Sequence, residues 1–223
     1  MIGKALLLVG SPKPRYSTSE SLGDYLIGQL EQKGFTTEKI KINQAIRTDS
    51  GKNMLVSSVN ECDLLIFSFP LYVDSTPSSL IKAMELIADL RRGKQRTKKQ
   101  VLLAICNSGF PEAHQIHTAL AILKCFAKEA GFIWAGGLSL GGGGAIGGKP
   151  LNALGGMVRN VVKGLDLTAI AIAEGSPVPE EAIKLMAKPF IPHWLYLMFG
   201  QLSWRKHARK YGTHKNLNDR PYQ

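Results

Sequence analysis

Two kinds of segment follow one another along the chain: short, continuous apolar runs, and longer stretches in which apolar residues recur every three or four positions. Residues 5–9 contain no polar side chain, which is typical of a strand buried on both faces of a parallel sheet. Behind this run, apolar side chains at helical spacing predict a helix that begins near residue 18. They are Leu22, Tyr25, Leu26 and Leu30.

The same order, a predicted strand followed by a predicted helix, occurs five times. The predicted strands are 4–10, 36–42, 63–69, 100–106 and 132–140, and the predicted helices are 18–33, about 50–60, 78–92, 113–130 and 150–173. Five βα repeats predict one parallel sheet with helices on both faces, joined by right-handed crossovers. All loops that follow strands then lie at the carboxyl edge of the sheet, where α/β proteins of this kind bind their ligands.

The loop after the first predicted strand is rich in hydroxyl groups, at residues 11 and 17–19. Unpaired amides at a helix start and the positive end of the helix dipole both favour an anion there, so this loop is a candidate phosphate site. The alternative is that the hydroxyls only cap the helix. No Walker P-loop motif is present, and no G-x-G-x-x-G follows the first strand. The candidate phosphate-binding residues are Ser11, Lys13, Ser17, Thr18 and Ser19.

Gly10-Ser11-Pro12 followed by Ser17 and Ser19 resembles the phosphate loop of the flavodoxin-like NAD(P)H-dependent FMN reductases and quinone reductases. The resemblance covers roughly residues 3–150. It implies that the hydroxyl-rich loop holds the 5′-phosphate of FMN, and that two later loops hold the flavin ring.

Both later loops have counterparts in this sequence. Residues 70–77 read PLYVDSTP, close to the family pattern P-x-Y-x-x-x-x-P, and residues 107–112 read NSGFPE. Each loop alone is also an ordinary turn between a strand and a helix. Their position at one sheet edge with the phosphate loop favours the flavin interpretation. The resemblance assigns to the flavin ring Pro70, Leu71, Tyr72, Val73, Asp74, Asn107, Ser108, Gly109 and Phe110.

The predicted fold class is therefore α/β: a flavodoxin-like, doubly wound, five-stranded parallel sheet with helices on both faces, plus a C-terminal helical extension. We expect residues 1–189 to form the FMN-binding domain and residues 190–223 to form an apolar and then basic extension. The resemblance implies an FMN-dependent NAD(P)H oxidoreductase and a homodimer. NADPH or NADH would be the co-substrate, and a quinone, free flavin, nitro compound or metal chelate the electron acceptor. The flavin carries this chemistry, so no side chain is predicted to be catalytic.

Two other functions stay open at this point: a flavodoxin-type electron carrier without NAD(P)H activity of its own, and a cofactor-free binding protein on the same fold. The net charge of +11 disfavours the carrier, because flavodoxins of that kind are usually strongly acidic. His114 and His117 lie three residues apart without carboxylate or cysteine support, so no metal site is predicted. No nucleic-acid-binding motif is recognised, and no nucleic-acid partner is expected.

Composition indicates one domain with a substantial core, since 44% of the 223 residues are apolar and 20% are charged. Three cysteines, an odd number, predict no disulfide framework and favour a reducing cytoplasm. Their spacings of 44 and 19 residues are too wide for the compact cysteine cluster of an iron–sulfur centre. Cys106 is expected in a strand, and Cys125 is expected in the core face of a helix. The apolar start is the first strand, so no signal peptide is predicted.

A glycine-rich segment follows the fifth predicted strand. Residues 141–148 contain six glycines in eight positions, which permits unusual backbone angles and close approach. One interpretation is a loop that passes close to the flavin or to the site of a dimer mate. The other is a flexible linker.

The C-terminal region combines an apolar segment with basic residues. Residues 190–204 contain ten apolar side chains and no charged one, and this stretch is too short to span a bilayer. Three interpretations stay open for 190–210: a helix packed on its own domain or dimer mate, a helix on a membrane surface, or a partner-docking element. Membrane association is therefore an alternative to a purely cytoplasmic location. The second basic cluster, 91–99, is expected to be a solvated loop.

Overall fold

The structure is a computed structural model that describes residues 3–93, 98–190 and 192–220. Five strands form one sheet in which every neighbouring pair is parallel, in the order β2-β1-β3-β4-β5. The strands are Lys4–Val9 (β1), Thr36–Lys41 (β2), Leu64–Pro70 (β3), Val101–Asn107 (β4) and Ile133–Leu140 (β5). This order confirms the predicted flavodoxin-like, doubly wound sheet.

Seven α-helices belong to the described part of the first compact unit, residues 1–190. They are Thr18–Glu31 (α1), Ile42–Ala45 (α2), Asp49–Glu61 (α3), Ser78–Arg91 (α4), His117–Glu129 (α5), Arg159–Ala173 (α6) and Glu180–Ala187 (α7). Short 3₁₀ segments lie at Ala113–Ile116, Gly143–Ala145 and Leu151–Val158. The second unit, residues 191–223, contains one helix in its described part, His193–Lys210 (α8).

The hydrophobic core has one layer on each face of the sheet. In β1, Leu6 and Leu8 belong to one layer and Leu7 to the other, as the period of two in a strand requires. The first layer is completed by α3, α4 and α5, and the second by α1, α6 and α7. Helices therefore cover both faces, as predicted.

The predicted helix over 150–173 is only partly confirmed. Residues 151–158 form 3₁₀ structure, and the α-helix begins at Arg159. Gly155 explains the break, because its φ of 55° and ψ of −142° are open to glycine and closed to most other residues. The short helices α2 and α7 were not predicted, since four and eight residues give too little periodicity to recognise.

The predicted position of Cys125 in the core is wrong. Its side chain is exposed, because the buried face of α5 is formed by residues such as Leu123 and Ala127, and position 125 points away from both. Cys62 and Cys106 are buried. Burial raises the pKa of the Cys62 thiol to about 12 and raises that of Cys106 as well.

These environments predict that one thiol per native chain reacts rapidly with Ellman's reagent at neutral pH, because only a thiolate reacts and only Cys125 is accessible. In denaturant all three should react. Cys125→Ser should abolish the rapid phase while leaving the two slow thiols, and rapid reaction of two thiols in the native protein would contradict the assignment.

The basic cluster 91–99 is partly structural rather than a solvated loop. Arg91 is buried, donates a hydrogen bond from Nη1 to Oε1 of Gln100 at 2.6 Å, and lies 3.8 Å above the ring centre of Phe132. Lys98 forms an ion pair of 2.9 Å with Asp63. Residues 94–97 of the predicted cluster lie outside the described residues.

Candidate functional site

The loops that follow β1, β3, β4 and β5 lie at the carboxyl edge of the sheet. Every predicted site residue belongs to the loops after β1, β3 and β4, or to the strand and helix ends beside these loops. The glycine-rich segment is the loop after β5. Hydrogen bonds between these four loops show which of the predicted residues the fold brings together.

Asn107, the last residue of β4, joins three loops. Its side-chain Oδ1 accepts a hydrogen bond of 2.7 Å from Ser19 Oγ at the start of α1. Its backbone carbonyl accepts a hydrogen bond of 2.8 Å from the N–H of Leu71, and the residue is the register partner of Pro70. Asn107 is buried, so these bonds are shielded from competing water.

The glycine-rich loop is hydrogen-bonded to the residues next to Ser19 and Asn107. Thr18 Oγ1 donates a hydrogen bond of 2.7 Å to the carbonyl of Gly143, and the N–H of Gly143 donates one of 2.8 Å to the carbonyl of Ser108. A Cβ atom added at Gly148 would lie 2.2 Å from the carbonyl carbon of Tyr16. The loop is therefore packed against the predicted site, and the flexible-linker interpretation is wrong.

Several hydrogen-bond donors at the start of α1 and in the loop before it remain available to an anion. Ser17 is the N-cap, and its Oγ accepts a hydrogen bond of 3.1 Å from the N–H of Glu20, so its hydroxyl proton stays available. Ser11 is similar, because its Oγ accepts from the N–H of Lys13 at 3.4 Å. The first-turn amides of Thr18 and Ser19 have no acceptor inside the helix. The cap and the phosphate interpretations are therefore compatible, since a capping hydroxyl still has a proton to donate.

The hydroxyl groups of Thr18 and Ser19 are not available as hydrogen-bond donors to an anion. Each has a single proton, and both protons are donated within the protein, to Gly143 and Asn107. These two residues would contact a phosphate through their backbone amides, while their side chains hold the neighbouring loops in place. The cations on this loop are Lys13 and Arg15, which are both exposed.

The loop after β3 forms a tight turn. Tyr72 and Ser75 exchange two backbone hydrogen bonds, of 2.9 and 3.0 Å, and the two residues between them have positive φ, 48° at Val73 and 57° at Asp74. Val73 is 98% exposed, an unusual combination for a β-branched residue in this conformation. Tyr72 and Phe110, on the two loops assigned to the flavin ring, are 45% and 60% exposed and offer aromatic surface to a flat ligand.

Sequence reasoning missed two hydroxyls beside this turn. Thr76 Oγ1 and Ser79 Oγ are buried and have no hydrogen-bond partner among the residues that the structure describes. They flank the start of α4, whose N-cap residue Pro77 provides no side-chain cap. A buried unpaired hydroxyl costs about 1–3 kcal/mol. The run Thr-Pro-Ser-Ser before a helix was the available signal for these groups.

A cavity of about 560 Å³ borders the phosphate loop at Arg15 and Tyr16 and extends along α1. Glu20 lines it and accepts from Lys39 and Lys41 at 3.1 and 3.0 Å. Burial alone would raise the pKa of the Glu20 carboxyl, but the hydrogen bonds from the two lysines outweigh it and hold that pKa below its usual value. The acid is therefore ionised and neutralised by lysines, so it does not strongly repel an anion nearby.

No metal centre is apparent at this edge. Within residues 3–93, 98–190 and 192–220, no three His, Cys, Asp or Glu side chains are grouped so that they could hold a metal ion. His114 and His117 lie at the 3₁₀ segment and the start of α5.

Comparison with known proteins gives the family. Residues 4–137 match the NADPH-dependent FMN reductases. Because the match covers more than half of the chain, the protein belongs to this family, and it is a flavin oxidoreductase that uses FMN and NAD(P)H. No curated protein matches the sequence.

Solved structures share the fold at low sequence identity. RosB with the bound intermediate 8-demethyl-8-formylriboflavin-5′-phosphate is 16% identical, with a TM-score of 0.61, and the match covers 92% of this chain and 87% of that one. The NADH:FMN oxidoreductase EMOB is 13% identical, with a TM-score of 0.59 and coverages of 85% and 96%. An FMN-dependent NADH-azoreductase from Bacillus anthracis, in complex with FMN, is 14% identical, with a TM-score of 0.54 and coverages of 76% and 99%.

The residues present fit FMN. Amides and hydroxyl protons at the start of α1 suit a phosphate, exposed aromatic side chains on two loops suit a flat ring, and the unpaired hydroxyls of Thr76 and Ser79 lie next to the loop assigned to the ring.

Proposed function

We propose that this enzyme binds FMN at the carboxyl edge of its sheet, in the site that Asn107 joins together, and reduces a small-molecule acceptor with NADPH or NADH. The observation that carries the proposal is that the buried side chain of Asn107, in one predicted ring loop, accepts a hydrogen bond from Ser19 beside the predicted phosphate loop. Its backbone carbonyl accepts one from Leu71 in the other ring loop. The acceptor classes are a quinone, free flavin, a nitro compound or a metal chelate. Bound FMN supplies the hydride and electron transfer.

The phosphate site is proposed at the first turn of α1. The amides of Thr18 and Ser19 would donate to phosphate oxygens, and the hydroxyls of Ser11 and Ser17 would donate through their remaining protons. Lys13 would add positive charge from the loop. The fixed amides and the helix dipole are already oriented, so little reorganisation is needed on binding.

The ring site is proposed between residues 70–74 and 107–110. Backbone amides there would place positive dipoles near the ring edge that gains negative charge on reduction. Tyr72 and Phe110 would cover apolar ring surface. Asn107 would act as a positioning residue, because its side-chain oxygen accepts a hydrogen bond from Ser19 and its backbone carbonyl accepts one from Leu71.

The family assignment favours this function over an electron carrier and over a cofactor-free binding protein. We also propose a homodimer, which the resemblance implies and which light scattering in solution tests. A cytoplasmic location is proposed from the three free cysteines, Cys62, Cys106 and Cys125.

The phosphate site predicts a specific effect of Ser17→Ala. The variant should bind FMN about tenfold more weakly, because a hydrogen bond to a charged group is worth about 1.5–3 kcal/mol. It should also lose about 1 kcal/mol of unfolding free energy through the missing helix cap. Flavin fluorescence titration and urea unfolding measure the two effects.

Riboflavin, which lacks the phosphate, is the matched control ligand. Its affinity should be the same for the variant and the parent protein, because the ring site is untouched. An equal loss for FMN and riboflavin would show that Ser17 acts through the fold and not on the phosphate.

Steady-state oxidation of NADPH and NADH, measured with one acceptor of each class, tests the reaction. Turnover that requires FMN and one acceptor class supports the proposal and identifies that class. Absence of turnover with every acceptor, by protein that has bound FMN, would favour the electron carrier.

A further inference from the structure

Helix α8 of the second unit exposes large apolar side chains. Trp194 and Trp204 are 66% and 76% exposed. Leu197, Met198 and Leu202, which lie between them, are also exposed. Among the described residues of this unit, only Ala208 is buried. The helix therefore presents an apolar segment, bounded by two tryptophans, that is available for contact with another surface.

Positive charge follows this segment directly. Arg205, Lys206, Arg209 and Lys210 occupy the last part of α8, and none of the four forms an ion pair with a described residue. The only acid in residues 191–223 is Asp219, whose Oδ2 accepts a hydrogen bond of 2.6 Å from Asn216. The unit thus combines apolar and cationic surface with almost no negative charge.

From this combination we infer that α8 docks the enzyme on the surface of an anionic phospholipid bilayer. Tryptophan prefers the boundary between headgroups and acyl chains, because its ring is apolar and its N–H can reach a polar partner. The long stems of Arg and Lys lie along apolar surface while their charged ends reach lipid phosphates. No described helix is long and apolar enough to cross a membrane, so α8 would lie in the interface.

Charge complementarity favours a bilayer over a second copy of the chain. Two copies of α8 paired in parallel would bring two clusters of four cations together, and in an antiparallel pair each cluster would face an apolar segment that holds no acid. An anionic leaflet supplies the opposite charge beside all four cations. Docking would bring the enzyme to lipid-soluble acceptors such as quinones; only this consequence rests on the proposed function.

Co-sedimentation of the full chain with vesicles tests the inference. Vesicles of phosphatidylglycerol and phosphatidylcholine in equal parts should bind the protein at least about tenfold more tightly than vesicles of phosphatidylcholine alone. High salt should weaken the binding. The tryptophan fluorescence should shift to the blue with vesicles, and this shift should disappear when Trp194 and Trp204 are both replaced by phenylalanine.

Two matched variants separate docking from general electrostatics. Replacing Arg205, Lys206, Arg209 and Lys210 by glutamine should weaken anionic-vesicle binding by about 100-fold or more, because each cation near an anionic membrane adds to the binding affinity. The same change at Lys33, Lys99, Lys124 and Lys128, all exposed elsewhere, lowers the net charge equally and should leave binding within about threefold. Both variants should oxidise NADPH normally without vesicles, so a failure of docking is distinguishable from a failure of the proposed function.

Three results would overturn the inference. They are equal binding to neutral and anionic vesicles, equal loss in the two charge variants, and absence of vesicle binding by folded protein. A concentration-dependent dimer that Trp194→Phe and Trp204→Phe dissolve, without vesicle binding, would assign α8 to a second copy of the chain.

Discussion

Replacing Asn107 by leucine is expected to weaken FMN binding by about 10- to 100-fold and to lower the free energy of unfolding by about 1–3 kcal/mol. Leucine has a similar size but cannot accept the hydrogen bond from Ser19 Oγ, so a buried hydroxyl loses its partner. The start of α1 is then no longer fixed relative to the loop after β4. Flavin fluorescence titration and urea unfolding report the two effects.

Two further variants make this result specific. Asn53→Leu, at an exposed position of α3, should leave FMN affinity unchanged. The double variant Asn107→Leu with Ser19→Ala should be no worse than Asn107→Leu alone, because the unpaired hydroxyl is removed with its lost partner. An Asn107→Leu protein that binds FMN as tightly as the parent would refute the positioning role.

Gly148→Ala is expected to have the larger effect on the fold. The residue has a φ of 82°, and an added Cβ would lie 2.2 Å from the carbonyl carbon of Tyr16, far inside contact distance. Either the glycine-rich loop or the phosphate loop must move. We expect the free energy of unfolding to fall by about 3 kcal/mol or more and FMN affinity to fall with it, because Tyr16 directly precedes the helix cap Ser17.

Gly144→Ala is the matched control within the same loop. An added Cβ there meets no atom within 4 Å, and its φ lies outside the positive range, so stability should change by less than about 1 kcal/mol. Equal unfolding midpoints of the two variants would show that the loop does not press on Tyr16.

The sheet could be predicted because most of its strands are nearly continuous apolar runs; the edge strand β2, which reads TTEKIK, is the exception. β3, for example, is buried from Leu64 to Phe69, and a strand covered on both faces leaves this pattern in the sequence. Helical periodicity failed where glycine breaks the backbone, at Gly155, and where the helix is too short to show a period, in α7. Cys125 is exposed against expectation, because the buried face of α5 is formed by its neighbours Leu123, Phe126 and Ala127.

The candidate site was predictable in position but not in detail. Loops that follow parallel strands must converge, so the edge was foreseeable. The sequence could not show which hydroxyl protons remain available to a ligand. That depends on contacts between residues far apart in the chain, such as the hydrogen bond from Thr18 to Gly143. The run Thr-Pro-Ser-Ser marks Thr76 and Ser79 as hydroxyls at a helix start, but their burial without a partner could not be predicted, since burial is a property of the folded chain.

We expect FMN to bind at this edge and to accept electrons from a reduced pyridine nucleotide. The first measurement is the absorption spectrum of the purified protein with added FMN, recorded under anaerobic conditions before and after addition of NADPH or NADH. We predict that one equivalent of FMN stays with the protein through gel filtration and that its visible absorption bleaches on addition of the reductant. Failure to retain any FMN, even when it is supplied in excess, would show that this edge is not a flavin site.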